Sequence, residues 1–331
     1  MPSAIGQRLL TALSDRRVSS QEVSELLTAA KAEKKFTPEL KAELEGLLRQ
    51  NSSAFEPAAR AELRRFLDAT PVKRDLADPK VLDKHSTSVS WNPVAADGSL
   101  YVDGISYDDV VQGSIANCYM VSAFSSLAQA NPDTIKNAIT DNRDGTYSVR
   151  FFEKDAYGRY KPVTVTVDSD IATDFGISNK YAKARDGKEQ WVTVLEKAYA
   201  QWKGGYEAIG NGGRAGEVFE ALTGRGYTWS STKYTPADRL YQSISTALAA
   251  HRPVTAGTYG KDSGVDYTGT GVYAWHAYTV LGASEEQGTR YIQLRNPWGN
   301  TEPGSDGKND GIFKMKLDDF MKLYGTVYLG G

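Results

Sequence analysis

The residues that could do chemistry in this sequence are few, and the scarcest is the thiol. Cys118 is the one cysteine in 331 residues, and it is accompanied by three histidines, His85, His251 and His276. A thiolate is a competent nucleophile, a histidine can take and return its proton, and an asparagine can hold the imidazole in one tautomer. A lone cysteine is otherwise a small buried hydrophobe, so its position has to decide. In "QGSIANCYMVSAFSSL", Cys118 precedes Met120, Ala123, Phe124 and Leu127, which are apolar at i, i+3, i+4 and i+7 spacing. That spacing predicts an amphipathic helix, ended by Asn131-Pro132. The thiol then lies in a first helical turn, where unpaired N–H groups and the helix dipole favour an anion and lower its pKa.

The base has to come from elsewhere in the chain. In "WHAYTVLGASEEQGTRYIQLRNPWG" two strand-like runs flank a turn. Pairing them antiparallel about Glu286 sets His276 opposite Asn296 on one sheet face, with Cβ atoms about 5 Å apart. Asn296 can accept the imidazole N–H there and leave the other ring nitrogen for the thiol. A developing oxyanion needs donors: the Cys118 N–H is one, and the side-chain amide of Gln112, six residues upstream, is an uncharged second. Taken singly, a packed strand histidine, a strand-end asparagine and a solvated glutamine are the ordinary readings. Together, beside the only cysteine, they make a constellation for acyl transfer through a thiol.

The elements that must hold this constellation occupy the later part of the chain. After about residue 80 tyrosine, tryptophan and glycine become frequent. "TYSVRFF" and "VTVTVD" read as a hairpin about "DAYGRYKP", and "QWVTVLEKAYAQW" reads as a helix. Before that, "FTPELKAELEGLL" from Phe36, "FEPAARAELRRFL" from Phe55 and a degenerate "VSSQEVSELLTAA" from Val18 form a loose repeat. Each copy has an apolar residue, a cap candidate and helical spacing, which predicts a bundle of three or four helices without catalytic residue types. "DATPVKRDLADPK" (Asp68 to Lys80) reads as the linker between the two parts. A net charge of −2, with 40% hydrophobic residues, describes an ordinary globular protein and argues against nucleic acid as a partner. No run reaches the roughly 18 apolar residues of a membrane span, the amino-terminal stretch lacks the pattern of a signal peptide, and one cysteine forms no internal disulfide. A cytoplasmic location is the expectation. One cysteine and three histidines exclude a Cys/His metal centre, so any metal must be held by oxygen.

At this point the chain resembles a known family. "QGSIANCYMVSAFSSLA", "WVTVLEKAYAQWKGGYEAIGNGG", "WHAYTVLGA" and "LRNPWGN" resemble, in order, the blocks that define the calpain protease core, from about Leu100 to about Tyr324. The resemblance implies an α+β, papain-like two-lobed core: residues 76–205 would form the lobe with the catalytic cysteine and 206–331 the lobe with histidine and asparagine, preceded by a helical unit over 1–75. It implies Cys118 as nucleophile, His276 as base and then acid, Asn296 as orienter and Gln112 as oxyanion donor. It also implies Trp298 shielding the His–Asn contact and lining the cleft, with Gly212 and Gly213 on the substrate side. Calcium is the implied cofactor, held in the first lobe by Val102, Gly104, Asp109 and Glu189, the first two through their carbonyls. Glu302 and Asp310 match ligands of a second site, across a stretch much shorter than in the family. The expected substrates are proteins or peptides.

The chain departs from the pattern at Ala116-Asn117-Cys118-Tyr119, where calpains usually carry Gly-Asp-Cys-Trp, and at Trp275, which replaces the usual glycine. The amino-terminal helices have no counterpart in conventional calpains and are candidates for a pro-segment or a partner-binding unit, and a chain starting near Val81 is expected to fold and act. Two other functions remain compatible with the residues: a silent calpain-like peptide-binding module, and a transglutaminase-like acyl transferase, which generally uses Asp as its third residue.

Overall fold

The computed structural model describes residues 2–32, 36–69, 74–93, 99–304 and 306–331. Residues 70–73 of the expected linker therefore lie outside the described residues. The described chain divides into two compact units. One comprises Met1–Ala77 with Asp141–Tyr147 and Asp168–Asp170; the other comprises the remainder, from Asp78 to Gly331.

The first unit contains the helices Ala4–Ala12, Ser20–Ala32, Pro38–Gln50 and Pro57–Ala69. Their starts are written in the sequence. The Ser3 hydroxyl accepts from the Gly6 N–H at 2.8 Å, and Thr37 caps a helix opened by Pro38. Glu22 accepts from the Ser19 N–H at 2.8 Å while the Ser19 hydroxyl accepts from the Glu22 N–H at 3.3 Å, a reciprocal capping box. The first and third repeat copies meet: the Val18 N–H donates to the Ala54 carbonyl and the Glu56 N–H to the Val18 carbonyl. Val18, Val23, Leu44, Ala59 and Leu63, all without exposed surface, centre this unit's core.

In the second unit a six-stranded sheet flanks two of the candidate residues: His276 directly precedes one of its strands and Asn296 directly follows another. Its strands run in the order Ile312–Lys316, Thr289–Arg295, Ala277–Glu286, Val254–Thr258, Tyr324–Gly330 and Tyr227–Ser231. Every pairing is antiparallel. The helix Cys118–Ala130 packs on this sheet, and from Tyr119 to Ala128 every residue is buried. It is thus buried all round and not on one stripe, as the apolar spacing alone suggested. One serine hydroxyl and one main-chain carbonyl attach it. Ser126 donates to the Val254 carbonyl at 2.9 Å and accepts from the Val254 N–H at 2.6 Å, and the Thr279 hydroxyl donates to the Ser122 carbonyl at 2.9 Å. The helix is therefore bonded to both strands that lead to the histidine. The hairpin of Thr146–Lys154 and Tyr160–Asp168 and the helix Trp191–Lys203 form where the sequence pattern puts them.

The edge of the second unit bears on where the chain can be cut. Lys197 is 2% exposed, lies over the Trp91 ring, and pairs with Asp78 at 2.6 Å. A chain starting at Val81 loses that carboxylate from beside a buried ammonium. A chain starting at Asp78 keeps it. We expect the Val81 start to be less stable than the Asp78 start by about 3 kcal/mol, read as the difference in urea midpoints.

Candidate active site

Cys118 opens its helix. Asn117 precedes it at φ −115°, ψ 27°, outside helical geometry, and the Asn117 carbonyl accepts from the N–H groups of Met120 and Val121. The N–H of Ala277, the residue after His276, points at the Cys118 sulfur. The expected lowering of the thiol does not hold. Burial pushes Cys118 above the ordinary thiol range, and the N–H groups of Ala277, Tyr119 and Cys118 itself offset only part of that shift. Desolvation outweighs the helix start in the resting site.

His276 is set by its neighbours in the chain. Its N–H donates to the Thr258 hydroxyl at 2.9 Å and its carbonyl accepts from the Thr258 N–H at 2.9 Å. Trp275 before it sits at φ 57°, a left-handed conformation that favours glycine. The Trp275 indole is 68% exposed and lies against Gly260, where an added Cβ would fall 1.9 Å from its ring nitrogen. The His276 ring lies among Trp298, Tyr278 and Tyr273, with centroids at 4.6, 4.9 and 6.3 Å.

The His276 Nε2 and Asn296 Oδ1 atoms are 2.9 Å apart, which leaves Nδ1 for the thiol proton. The hairpin register differs from the expectation. Thr279 pairs with Arg295 and Val280 with Leu294; the register then shifts by one at Gly282, and the tight turn falls at Gln287-Gly288. Asn296 is consequently displaced by two residues from the position opposite His276. A two-residue displacement keeps both side chains on one face, and the diagonal gap lies within side-chain reach. The remaining atoms of Asn296 are also engaged. Its Nδ2 donates to the Thr301 carbonyl, its N–H to the Gly311 carbonyl, and its Oδ1 also accepts from the Trp298 N–H. It is fully buried.

Burial lowers the His276 imidazole to about 4, against which the Asn296 contact works in the opposite direction. A histidine whose folded pKa is depressed leaves stability intact above its unfolded value near 6.5 and drains it as pH falls through that window toward 4. We expect a loss of about 3 kcal/mol between pH 6.5 and 4 from this group. The check is urea unfolding across that range, in which His276→Gln flattens the slope.

Gln112 is tied to the same end of the sheet, its N–H donating to the Pro297 carbonyl at 2.9 Å. Its Nε2 donates to the Ile115 carbonyl at 2.7 Å, while its Oε1 is buried with no partner among the described residues. Gly212 donates its N–H to the Ala116 carbonyl, which brings the Gly212-Gly213 segment alongside the turn before Cys118. Gly213 faces the Tyr119 ring so closely that a Cβ would lie 2.5 Å from it. Tyr119, in place of the usual tryptophan, is thus a buried floor beside the nucleophile.

Of the expected calcium ligands, Asp109 and Glu189 are brought together from 80 positions apart and their carboxyl groups share a hydrogen bond. Glu189 is 6% exposed, accepts from the Val102 N–H at 3.0 Å, and is pushed up to about 7 by burial. Asp109, also raised by burial, accepts from the Ser106 N–H and from the Trp191 indole. Gly104 turns the adjoining loop at φ 101°. Two facing, desolvated carboxyl groups beside that loop suit a hard divalent cation. In the other expected site Glu302 accepts from the Gly311 N–H and Asp310 from the Ile312 N–H, both closing their own loop.

Sequence reasoning missed two features. Arg185 donates to the carbonyls of Asp108, Gly299 and Asp310, and buried Arg295 donates to those of Asp108 and Val110, so the Asp109 segment is bound to the loop after Asn296. The presence of Arg295 directly before Asn296 was the only signal. In the first unit Asp75, Asp168 and Asp170 place carboxylate oxygens within 4.8 Å of one another. Asp168 is already used by the N–H groups of Leu76 and Asp170.

The calpain family cysteine protease profile matches residues 73–306. The chain is 30% identical over 273 residues to calpain-12 of Mus musculus, covering 73% of this chain and 37% of that one. To the calpain-1 catalytic subunit of Mus musculus it is 30% identical over 274 residues, covering 73% and 36%. To the calpain-type cysteine protease ADL1 of Oryza sativa subsp. japonica it is 27% identical over 281 residues, covering 73% and 12%. The chain thus spans little more than a third of the length of these mammalian relatives. With the solved digestive procathepsin L2 proteinase from Tenebrio molitor larval midgut it shares 14% identity at a TM-score of 0.28 over 93% of this chain and 98% of that one, a likeness that carries no argument. The profile match over most of the chain and the identity to these relatives make the chain a member of the calpain family of cysteine proteases, with an α+β, papain-like protease core.

Proposed function

We propose that the chain is a cysteine endopeptidase that hydrolyses peptide bonds of protein substrates, and that calcium assembles its site. The observation that carries this reading is the 2.9 Å contact between His276 and Asn296, next in the chain to the Ala277 N–H that favours the charged form of the Cys118 thiol. The resting pair is a neutral thiol and a neutral imidazole, because burial raises one and lowers the other. On substrate binding, His276 Nδ1 takes the thiol proton as Sγ attacks the carbonyl carbon. The imidazolium then passes that proton to the leaving amine, and water releases the acyl group by the same steps in reverse order. Asn296 holds the ring throughout. The Cys118 N–H and the Gln112 amide receive the oxyanion. A primary amide has two N–H bonds, and the one given to Ile115 aims the other.

Calcium would be held by Asp109 and Glu189, with carbonyls of Val102 and Gly104, and would supply the positive charge that two apposed carboxylates require. The donor set fits the ion: neither acid has a lysine or arginine partner among the described residues. Proteins and peptides are the proposed substrates, and the amino-terminal unit is proposed as a regulatory or partner-binding element. No helix among the described residues is long and apolar enough to cross a membrane. The test is digestion of an unfolded protein by wild type and by Cys118→Ser, each with calcium or with chelator. Cleavage by wild type in calcium alone is the expected result, and cleavage by the serine variant at the wild-type rate overturns the nucleophile.

A further inference from the structure

Glu196 lies in the middle of the helix Trp191–Lys203, is fully buried, and pairs with no lysine or arginine among the described residues. An unpaired carboxylate in a protein interior is costly unless hydrogen bonds meet it. Two do. Its Oε1 accepts from the Asn117 side-chain Nδ2 at 2.7 Å and its Oε2 from the Ala182 N–H at 2.9 Å. Asn117 is itself fully buried, and its own Oδ1 has no partner among the described residues, where Glu196 alone bonds that amide.

Asn117 is the hinge of the proposed oxyanion donors. Its main chain turns the backbone from the Gln112 loop into the Cys118 helix, and so aims the Cys118 N–H. Its N–H donates to the Ile115 carbonyl at 2.9 Å, the same oxygen that receives the Gln112 amide at 2.7 Å. Displacing the Asn117 side chain therefore moves both donors. We propose that Glu196 is a positioning residue that fixes, through Asn117, the Cys118 turn and the two donors hung on it. This rests on the peptidase reading for its consequence in turnover and not for its consequence in thiol geometry.

The contact can be removed from either side. Asn117→Ala takes away the donor and Glu196→Leu the acceptor. On a peptide substrate with calcium, each is expected to lower kcat by about tenfold with KM little changed, and to slow alkylation of Cys118 by iodoacetamide. The double variant is expected to be no worse than the more affected single one, because both changes remove the same contact. Wild-type kcat and alkylation in both single variants, or losses that add in the double variant, overturn the proposal. Should Glu196→Leu fail to fold, an unchanged alkylation rate in Asn117→Ala overturns it equally. An inactive wild type sinks the peptidase reading and leaves the alkylation series to decide this one.

Discussion

Cys118→Ala is expected to abolish cleavage of an unfolded protein substrate and to leave the fold in place. The size of the effect follows from what is removed: no other thiol exists in the chain to replace the lost nucleophile. Loss of a nucleophile in enzymes of this kind costs about four orders of magnitude or more in turnover. The stability cost is small, because the substitution deletes one sulfur from a partly exposed residue at a helix start, and alanine is a good helix former. A thiol-directed epoxide should label Cys118 alone in the wild type and nothing in the variant, read by mass spectrometry. His276→Ala should fall nearly as far, since the proton has no other acceptor. Asn296→Ala should fall less, because Asn296 orients the base without itself moving the proton. Residual cleavage by Cys118→Ala at the wild-type rate would place the chemistry elsewhere in the molecule.

The parts of this site that were legible in the sequence are those governed by short-range pattern. Cys118 at a helix start and the two strands that begin after His276 and end before Asn296 follow from local spacing. The side-chain face survives because the displacement is two residues, the period of the strand, where a one-residue slip would have reversed it. The register itself was not legible: the bulge at Gly282 adds a residue on one strand, and the two-residue turn at Gln287-Gly288 competes with the Glu286-centred pairing. The thiol's direction of shift was misread for another reason. A helix start can be seen in a sequence, whereas the burial that overrides it belongs to the assembled core. Ser122, Ser125 and Ser126 stand at polar positions of an amphipathic helix, yet they are buried: the Ser126 hydroxyl bonds the strand at Val254, and those of Ser122 and Ser125 donate to the Tyr119 and Tyr107 carbonyls. The buried role of Glu196 was not legible for the same cause. Its partner, Asn117, lies 79 residues away, and no local pattern connects them.

Calcium dependence is the second large effect expected, and Asp109 is where it can be isolated. Asp109 and Glu189 face each other with both carboxyl groups raised by burial, an arrangement that resists full ionisation until a cation joins it. The Asp109 segment does not stand apart from the catalytic residues. The Asp109 carbonyl accepts from the Arg185 N–H at 2.7 Å, and the Arg185 guanidinium reaches the Gly299 carbonyl at 3.0 Å, three residues beyond Asn296. Arg295 holds the Val110 carbonyl at 2.7 Å from the position directly before Asn296. A shift of the loop on ion binding would therefore be felt at Gln112 on one side and at the Asn296 loop on the other. We expect activity to rise at least tenfold on titration with calcium and to vanish in excess chelator. Asp109→Ala should reproduce the chelated state at every calcium concentration, and calorimetry on Cys118→Ser should show binding heat that the added Asp109→Ala change removes. Full activity in excess chelator, together with no binding heat, would mean that the two acids only share a proton and that the site assembles without a metal.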